Sequence, residues 1–340
     1  MSQSSPVAPH VAPIAEPAHV ITTIFNPDMY RTRYAHYEAF AEHMKASGVI
    51  LHTVELALGS RAFQVTSASN PLHIQLRTRD DMWYKENLQN IAWLRLPPDV
   101  KYVFMIDADF HMTRVDWVYA ALHLLQRYPV IQLYSSYSTL RADFRHQAVM
   151  SSFMGEWTNG VRPEPSGTGW LGATGGAWGY TVEALKTLNG MLETEIVGSA
   201  DWYMVYALLG VKNPRSEAMS TPGCLKALQK WSAGAAKLNG RIGCLGNHAV
   251  HYFHGPYSQR GYETRWQILV KNQFDPDTDL IRDAQGLLHF AGNKPEMENE
   301  IISYFESRGD DIVPPVVRPE PAKPRPGQSV NANPPYIKPA

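Results

Sequence analysis

The stretch Lys101-Tyr-Val-Phe-Met-Ile-Asp-Ala-Asp-Phe-His111 carries the clearest indication of fold and function in this chain. Its apolar run, Tyr102 to Ile106, has the length and composition of a central strand buried on both faces of a parallel sheet. The run ends at two carboxylates, Asp107 and Asp109, which project to the same side if the chain stays extended. A divalent cation that prefers oxygen ligands, Mg²⁺ or Mn²⁺, would relieve their repulsion. Because open α/β sheets bind ligands at the carboxyl ends of their strands, the stretch predicts a metal-dependent site.

A purely structural interpretation of the same stretch stays open. Asp-X-Asp is a short and common pattern, and the two aspartates could form only a solvated acidic turn at the end of the strand. The functional interpretation therefore depends on partners supplied by other parts of the chain.

The composition indicates a globular protein with one large α/β domain or two small ones. The 340 residues are 44% hydrophobic and 19% charged. A formal net charge of -1 excludes a global basic field that would draw the chain onto nucleic acid or an anionic membrane, although it is compatible with a local patch. Neither Cys224 nor Cys244 belongs to a CxxC pair, so a zinc ribbon is not expected and two reduced thiols are favoured over a disulfide.

Targeting signals are not recognisable in the sequence. No apolar run reaches the roughly 18 residues of a membrane-spanning helix. Residues 1–18 lack the basic and apolar regions of a secretory signal. We therefore expect no transmembrane segment and a cytoplasmic location.

Both ends of the chain lack the pattern of a packed core. Residues 1–18 are rich in Pro, Ala and Ser, and residues 313–340 are rich in Pro. Such compositions predict disordered or extended tails, which leaves 19–312 as the folded domain.

Strand and helix patterns alternate between these tails and predict a parallel, doubly wound sheet. No GxGxxG follows the first strand, which argues against a dinucleotide-binding fold. Residues 135–170 are expected to form a long irregular loop, and residues 212–246 carry no pattern that assigns an element. The predicted strands are 19–25, 49–56, 73–77, 102–106 and 130–134, and the predicted helices are 30–47, 80–94, 115–127, 181–192 and 202–209.

Two segments of the second half contain residues suited to a ligand site. The glycines between Trp170 and Tyr180 would let the backbone approach a ligand closely, although a tight strand–turn explains them equally well. Asp201 opens a predicted helix, where a carboxylate is also simply a good helix start.

Histidines and arginines cluster near a Gly-Pro turn further on. His254, next to Gly255, suits a metal ligand at a strand end, although a histidine on a strand is more often just packed. Arg260 and Arg265 are suited to a diphosphate because guanidinium groups pair bidentately with phosphate oxygens, or they begin a solvated helix.

Taken in order, these motifs resemble those of the GT-A glycosyltransferases: an apolar strand with Asp-X-Asp, then Gly-Gly-Ala-Trp, an acid at a helix start, and His-Gly near basic residues. The resemblance covers 19–275, and the second half is similar to the C-terminal part of galactosyltransferase and N-acetylgalactosaminyltransferase type enzymes. It implies a Rossmann-like mixed sheet with helices on both faces, a nucleotide-binding half at 19–134 and an acceptor-binding, catalytic half at 135–312. It also implies a nucleotide-diphosphate sugar as donor, a UDP-sugar above all, and Mn²⁺ or Mg²⁺ as cofactor.

The resemblance also implies roles for individual residues. Asp107 and Asp109 match the DxD that holds the metal and the nucleotide ribose, and His254 matches the third metal ligand, with His251 as the alternative. Asp201 matches the catalytic base of inverting members, although many of them carry Glu-Asp where this chain has Ala-Asp, which leaves retaining chemistry open. The other donor-site positions are Thr22, Phe25, Asn26, Lys85, Asn90, Arg260 and Arg265, and the positions that line the donor and acceptor pocket are Gly175, Gly176 and Trp178.

Other classes of function remain compatible with the sequence. A degenerate transferase fold would bind carbohydrate through stacking tryptophans such as Trp157, Trp170 and Trp178. A nucleotidyltransferase would usually show a Gly-rich or Lys-rich phosphate loop early in the chain, and none is present. The acceptor is equally open between a glycan, a protein, a lipid-linked sugar and a modified nucleic-acid base. The last would require a basic groove, for which Arg141, Arg145 and His146 are the available residues.

Overall fold

A computed structural model describes residues 16–164 and 170–311 of the chain. The predicted tails, 1–18 and 313–340, thus lie outside the described residues apart from residues 16–18. The strands are β1 (His19–Phe25), β2 (Ile50–Leu58), β3 (His73–Thr78), β4 (Tyr102–Ile106), β5 (Phe110–Met112), β6 (Val130–Gln132), β7 (Ser136–Leu140), β8 (His146–Ser151), β9 (Ala177–Thr181), β10 (Ile242–Cys244), β11 (His248–His251), β12 (Leu280–Arg282) and β13 (Leu288–Phe290). The helices are α1 (Arg31–Ala46), α2 (Lys85–Trp93), α3 (Trp117–Leu125), α4 (Phe153–Thr158), α5 (Val182–Leu188), α6 (Ala200–Leu209), α7 (Ser216–Met219), α8 (Pro222–Ala236), α9 (Trp266–Lys271), α10 (Pro276–Asp279) and α11 (Pro295–Glu306), with a 3₁₀ turn at Tyr257–Arg260.

The main sheet has the strand order β10-β6-β9-β4-β1-β2-β3 within the described part of the chain. All its strands run parallel except β9, which is antiparallel to both neighbours, β4 and β6. The alternation of strands and helices had suggested a parallel sheet, whereas the GT-A resemblance implied a mixed one. The sheet is mixed, as the resemblance implied.

The reversed direction of β9 positions the functional site. Ile106 at the end of β4 pairs with Ala177 at the start of β9. The residues after β4 and the residues before β9 therefore meet at one edge of the sheet. The Asp-Ala-Asp and Gly-Gly segments are brought together in this way, and the Asp107 N–H donates to the carbonyl oxygen of Gly176 at 2.8 Å.

Both faces of the sheet are covered by helices, as the apolar run of β4 predicts. Val103 and Met105 pack into one core with residues of α2, α5, α6 and α8. Phe104 and Ile106 pack into a second core with residues of α1 and α3. This alternation places every side chain of the strand interior in an apolar environment, where each large one contributes about 1.5–3 kcal/mol.

The prediction of a long irregular loop at 135–170 is wrong for most of this segment. It contains the hairpin β7–β8 and helix α4, and residues 165–169 lie outside the described residues. Strands β5, β11, β7 and β8 form a second sheet in that order. Strand β8 lies at its edge and is largely exposed, so it lacks the apolar alternation that identifies a strand.

The helix expected at 80–94 begins later, at Lys85. The residues before it are held by one local and one tertiary contact instead: the Asp80 N–H donates to Thr78 Oγ1 at 3.0 Å, and the Trp83 N–H donates to the Ile196 carbonyl at 2.8 Å. This irregular segment leaves Trp83 beside the cavity described below.

Local signals elsewhere agree with the sequence. Thr181 caps α5, accepting a hydrogen bond from the Ala184 N–H at 3.1 Å, as its position predicts. In the unassigned segment, Thr221 caps α8 in the same way and is followed by Pro222 at the first helical position. Cys224 and Cys244 are both free. No helix among the described residues combines the length and apolar character needed to cross a membrane.

Candidate active site

A cavity of about 1230 Å³ lies at the edge of the main sheet where β1 and β4 end and β9 begins. Carboxylates, histidines and arginines that are far apart in the sequence line it together. The predicted site residues among its lining are Phe25, Lys85, Asp107, Asp109, Gly175, Gly176, Asp201, His251, His254, Arg260 and Arg265.

Asp107 and Asp109 reach this cavity through a turn rather than through strand alternation. Strand β4 ends at Ile106, and the Phe110 N–H donates to the Asp107 carbonyl at 3.0 Å, which closes the turn. The expectation that both side chains project from an extended strand is therefore wrong, although both carboxylates face the same cavity.

Asp109, His251 and His254 form a compact group with one possible ligand atom each. Asp109 Oδ2 lies 3.1 Å from His254 Nε2 and 3.7 Å from His251 Nε2, and the two Nε2 atoms are 3.1 Å apart. All three ligand atoms lie within 4.8 Å of one another. A carboxylate oxygen and two imidazole nitrogens converging in this way fit a divalent transition-metal ion.

Strand pairing explains how distant residues meet in this group. β11 runs antiparallel to β5, which places His251 opposite Phe110, one residue after Asp109. The Tyr252 N–H then donates to the Asp109 carbonyl at 2.9 Å. The second sheet thus brings the histidine segment to the Asp-Ala-Asp turn.

The protonation states of this group suit metal binding. Burial, followed by the charge of Arg260, lowers the pKa of His254 well below its ordinary value, so its imidazole is neutral at pH 7. A neutral imidazole is the form in which histidine binds a metal.

Asp107 has a different partner and does not belong to this three-residue group. Its Oδ2 lies 3.2 Å from Lys85 Nζ, at the start of α2. Burial raises the pKa of Asp107, while Lys85 opposes that rise. The ion pair places Lys85 at the cavity wall. The resemblance implied a position for Lys85 in the donor site.

Asp201 is held at the cavity by contacts that require glycine. Thr174 Oγ1 donates to Asp201 Oδ2 at 3.1 Å, and a Cβ atom on Gly175 would lie only 2.5 Å from the same oxygen. Gly198 (φ +91°) and Ser199 (φ +83°) both adopt left-handed conformations immediately before α6. A non-glycine residue in this region is strained, and such strain is common at functional sites.

Arginines line the cavity on the side of the 3₁₀ turn. Arg265 is 6% exposed, and its Nη2 donates to Ser199 Oγ at 2.7 Å. The Nε atoms of Arg260 and Arg265 are buried without a hydrogen-bond partner among the described residues. Buried cationic donors with unused hydrogen-bonding capacity favour an anionic ligand.

Four predicted site residues do not line the cavity. Thr22 points into the protein interior, whereas its neighbour Thr23 lines the cavity. Asn26 bonds the backbone of Tyr30. Trp178 donates its Nε1–H to the Thr174 carbonyl at 2.7 Å.

Asn90, the fourth of these residues, serves a connection between elements. Its Nδ2 donates to the Met191 carbonyl at 3.0 Å and to Glu193 Oε2 at 2.9 Å, and its Oδ1 accepts from the Met191 N–H at 2.7 Å. The side chain thereby attaches α2 to the loop that follows α5.

Several cavity residues were not identified from the sequence. Thr174, which directly precedes Gly-Gly, could have been found from that neighbourhood. Trp83 and Arg308 carry no local pattern, since they reach the cavity only through tertiary contacts. The hairpin β7–β8 was missed with its strands, and it supplies one wall through residues such as Tyr137, Thr139, Leu140, Gln147 and Met150.

Comparison with known proteins gives structural similarity without sequence similarity. No protein-family model matches the chain, and no curated protein matches it. A mutant of Drosophila β-1,4-galactosyltransferase 7 in complex with manganese, UDP-Gal and xylobiose is 14% identical, with a TM-score of 0.30 over 55% of this chain and 58% of that chain. S. aureus TarS in complex with UDP-GlcNAc is 13% identical, with a TM-score of 0.38 over 69% of this chain and 58% of that chain. A second TarS structure is 12% identical, with a TM-score of 0.34 over 86% of this chain and 71% of that chain.

The match spans less than two thirds of the galactosyltransferase and of the UDP-GlcNAc-bound TarS chain. With TM-scores of 0.30 to 0.38 these matches carry no argument about the activity of this chain, and the chemistry of its cavity rests on its own residues.

Proposed function

We propose that this protein is a metal-dependent glycosyltransferase that moves a sugar from a nucleotide-diphosphate sugar, a UDP-sugar, to an acceptor hydroxyl. The observation that carries the proposal is convergence in one cavity. The Asp109, His251 and His254 group, the carboxylate of Asp201 and the arginines Arg260 and Arg265 come from three separate parts of the chain, at 109, 201 and 251–265. Each supplies a component that transfer from a sugar diphosphate requires.

Asp109, His251 and His254 would hold the cation. Two imidazoles with one carboxylate suit Mn²⁺ better than Mg²⁺, which prefers oxygen ligands and keeps much of its water. When bound, a divalent cation neutralises charge that develops on the departing diphosphate. Arg260 and Arg265 would add positive charge in the same cavity.

Asp201 is the base that we propose for the acceptor hydroxyl if the reaction inverts the anomeric centre. Its Oδ2 accepts from Thr174 and its Oδ1 accepts from the backbone N–H of Trp202 at 3.0 Å, which fixes the carboxylate at the cavity wall. A positioned carboxylate of this kind can accept a proton as the hydroxyl attacks.

The cavity has room for a donor and an acceptor together. Its volume of about 1230 Å³ exceeds the roughly 300–1,000 Å³ of an ordinary single-ligand pocket. We place the donor between the end of β1 and the arginines, and the acceptor against the β7–β8 hairpin, where Tyr137, Met150 and Trp170 form part of the lining.

Metal-dependent hydrolysis of sugar nucleotides tests the proposal. The wild-type protein and Asp109→Asn are incubated with UDP-, GDP-, CDP- and TDP-sugars in Mn²⁺, with and without EDTA, and the released nucleoside diphosphate is measured. We expect release from UDP-sugars in Mn²⁺ that EDTA abolishes and that Asp109→Asn lowers by about 100-fold or more, since it removes a metal ligand charge.

Asp116→Asn is the matched control, because Asp116 is exposed and pairs with Arg114 outside the cavity. It should hydrolyse like wild type. Absence of turnover and of binding for every sugar nucleotide, or turnover that survives EDTA, would contradict the proposal.

A further inference from the structure

The segment Arg308–Asp311, which follows α11, is fastened to the start of α1. We call this segment the clasp. The Asp311 carboxylate accepts hydrogen bonds from the Arg31 N–H at 2.8 Å and the Thr32 N–H at 3.0 Å, two donors that the first turn of a helix leaves free. Because a carboxylate at a helix N-terminus is also favoured by the helix dipole, the contact fixes the clasp firmly.

Two further contacts hold the clasp in place. Asp310 is fully buried and lies 2.6 Å from Arg33 Nη2. The Gly309 N–H donates to Tyr30 Oη at 3.1 Å. The clasp therefore has a defined position relative to the end of β1, where the cavity begins.

The clasp also packs on the backbone beside the metal-binding group. Gly255, which follows His254, has φ +95°, and a Cβ atom there would lie 3.0 Å from Asp310 Cα and 3.3 Å from the Arg308 carbonyl oxygen. Only glycine fits this approach, so the clasp and His254 are held in adjoining positions.

Arg308 extends from the clasp into the cavity with its charge incompletely balanced. The residue is 4% exposed, lines the cavity, and its Nε has no hydrogen-bond partner among the described residues. The nearest carboxylate oxygen, Asp310 Oδ1, lies 3.5 Å away, and Asp310 already binds Arg33. One carboxylate thus faces two guanidinium groups.

Other cations converge on the same place. The indole ring of Trp83 has the Arg308 guanidinium at 5.8 Å, the Arg265 guanidinium at 6.0 Å and Lys85 Nζ at 5.9 Å from its centroid. Asp107 beside Lys85 and Asp310 beside Arg308 offset part of this positive charge. The buried Nε atoms of Arg265 and Arg308 nevertheless have no hydrogen-bond partner among the described residues. An anion with more than one charge and several acceptor oxygens fits such a site.

We propose that Arg308 binds the diphosphate of the donor, so that the clasp completes an anion site with Arg265 and Lys85 around Trp83 and with Arg260 of the same cavity. The inference rests on the proposed function in naming a nucleoside diphosphate as the ligand. It adds a residue that no motif of the sequence indicated and gives the Asp310 and Asp311 contacts a role in positioning that residue.

The test measures anion binding directly in the full chain. Isothermal titration gives the Kd of UDP in Mn²⁺ and of inorganic pyrophosphate in EDTA for wild type, Arg308→Gln, Arg308→Lys and Asp311→Asn. We expect Arg308→Gln to weaken both ligands about tenfold or more, because one charged hydrogen-bonding partner is lost. Arg308→Lys, which keeps the charge, should recover part of this loss, and Asp311→Asn should show a smaller one.

Arg282→Gln is the control. Arg282 lies on β12, pairs with Glu193 and does not line the cavity. The thermal midpoint and the Mn²⁺ affinity report whether a variant has lost more than the anion site. A folded Arg308→Gln protein that binds UDP and pyrophosphate like wild type overturns the inference, as does a loss matched by an equal loss of Mn²⁺ affinity.

The two proposals fail in different ways. Sugar transfer with unchanged ligand affinity in Arg308→Gln refutes the role of Arg308 and leaves the proposed function in place. Pyrophosphate binding that depends on Arg308, without turnover of any sugar nucleotide, refutes the proposed function and keeps the anion site. If wild type binds neither UDP nor pyrophosphate, both are refuted.

Discussion

At the scale of single residues, the position of Asp201 depends on the absence of a side chain at Gly175. A Cβ atom there would lie 2.5 Å from Asp201 Oδ2, closer than any real Cβ contact. The adjacent Gly176 also needs to be glycine, because it has φ +86° and faces the ring of Phe110. The Gly-Gly pair therefore serves side-chain placement as well as the close backbone approach that its composition suggested.

We expect Gly175→Ala to displace the Asp201 carboxylate and to lower the rate of sugar transfer about 100-fold, since a displacement near 1 Å can have that effect. The affinity for UDP and Mn²⁺ should stay close to that of wild type, so the loss appears in kcat. Steady-state kinetics with a UDP-sugar and titration with UDP make this separation.

Gly246→Ala provides the matched control, because a Cβ atom at Gly246 meets nothing within 4 Å. It should be as active as wild type. Equal kcat values for the two variants would show that Asp201 is not positioned in the way described.

At the scale of elements, the strength of a sequence pattern follows the burial of the element. β1 and β4 begin and end at the predicted residues because both of their faces are buried and their apolar runs are uninterrupted. β8 gave no such pattern, since it is an exposed edge strand. The antiparallel direction of β9 could not be predicted from local sequence, because it depends on pairing with β4 and β6.

Asn90 connects α2 to the loop after α5 and does not line the cavity. It makes three hydrogen bonds to the loop after α5, and it is buried at 8% exposure. We expect Asn90→Ala to lower the free energy of unfolding by about 2–3 kcal/mol, because buried partners lose their hydrogen bonds. The affinity for UDP should remain unchanged.

Urea denaturation and UDP titration of the Asn90→Ala protein distinguish the two roles. Unchanged stability together with weakened UDP binding would instead support the donor-facing role that the sequence implied for Asn90.

At the scale of the whole molecule, the two buried acids Glu86 and Glu195 oppose folding when they ionise. Burial raises the pKa of Glu195 to about 8, with a further contribution from Glu86 and opposition from Arg265. Burial likewise raises the pKa of Glu86 to about 7. Both groups therefore bind protons more tightly in the folded state than in the unfolded state, where the pKa is near 4.5.

Between about pH 4.5 and pH 8 the folded protein holds more protons, so the free energy of unfolding falls as pH rises. We expect Glu195→Gln to reduce this fall by a few kcal/mol, on the order of what the shift in pKa implies. Urea denaturation at pH 5 and pH 8 measures the change. Parallel losses of stability in wild type and variant over that interval would contradict the assignment.

The candidate site was predictable to the extent that its residues follow strands or carry a motif. Asp109 follows a recognisable strand, Asp201 opens a recognisable helix, and His254 stands beside the Gly-Pro turn, so the sequence pointed to all three. Arg308 could not be found in this way, since its position is set by the distant contacts of Asp310 and Asp311.

The clasp has a consequence for the order in which this protein folds. Its hydrogen bonds join residues that are 279 and 280 positions apart in the chain, whereas β1 and β2 pair over a short separation. Contacts across so long a loop form late, because the entropy of closing the loop is lost before the contact stabilises anything. During refolding, the main sheet and its secondary structure should therefore be complete before the affinity for donor is regained. The last kinetic phase would then be visible as recovery of nucleotide binding with no accompanying change in circular dichroism.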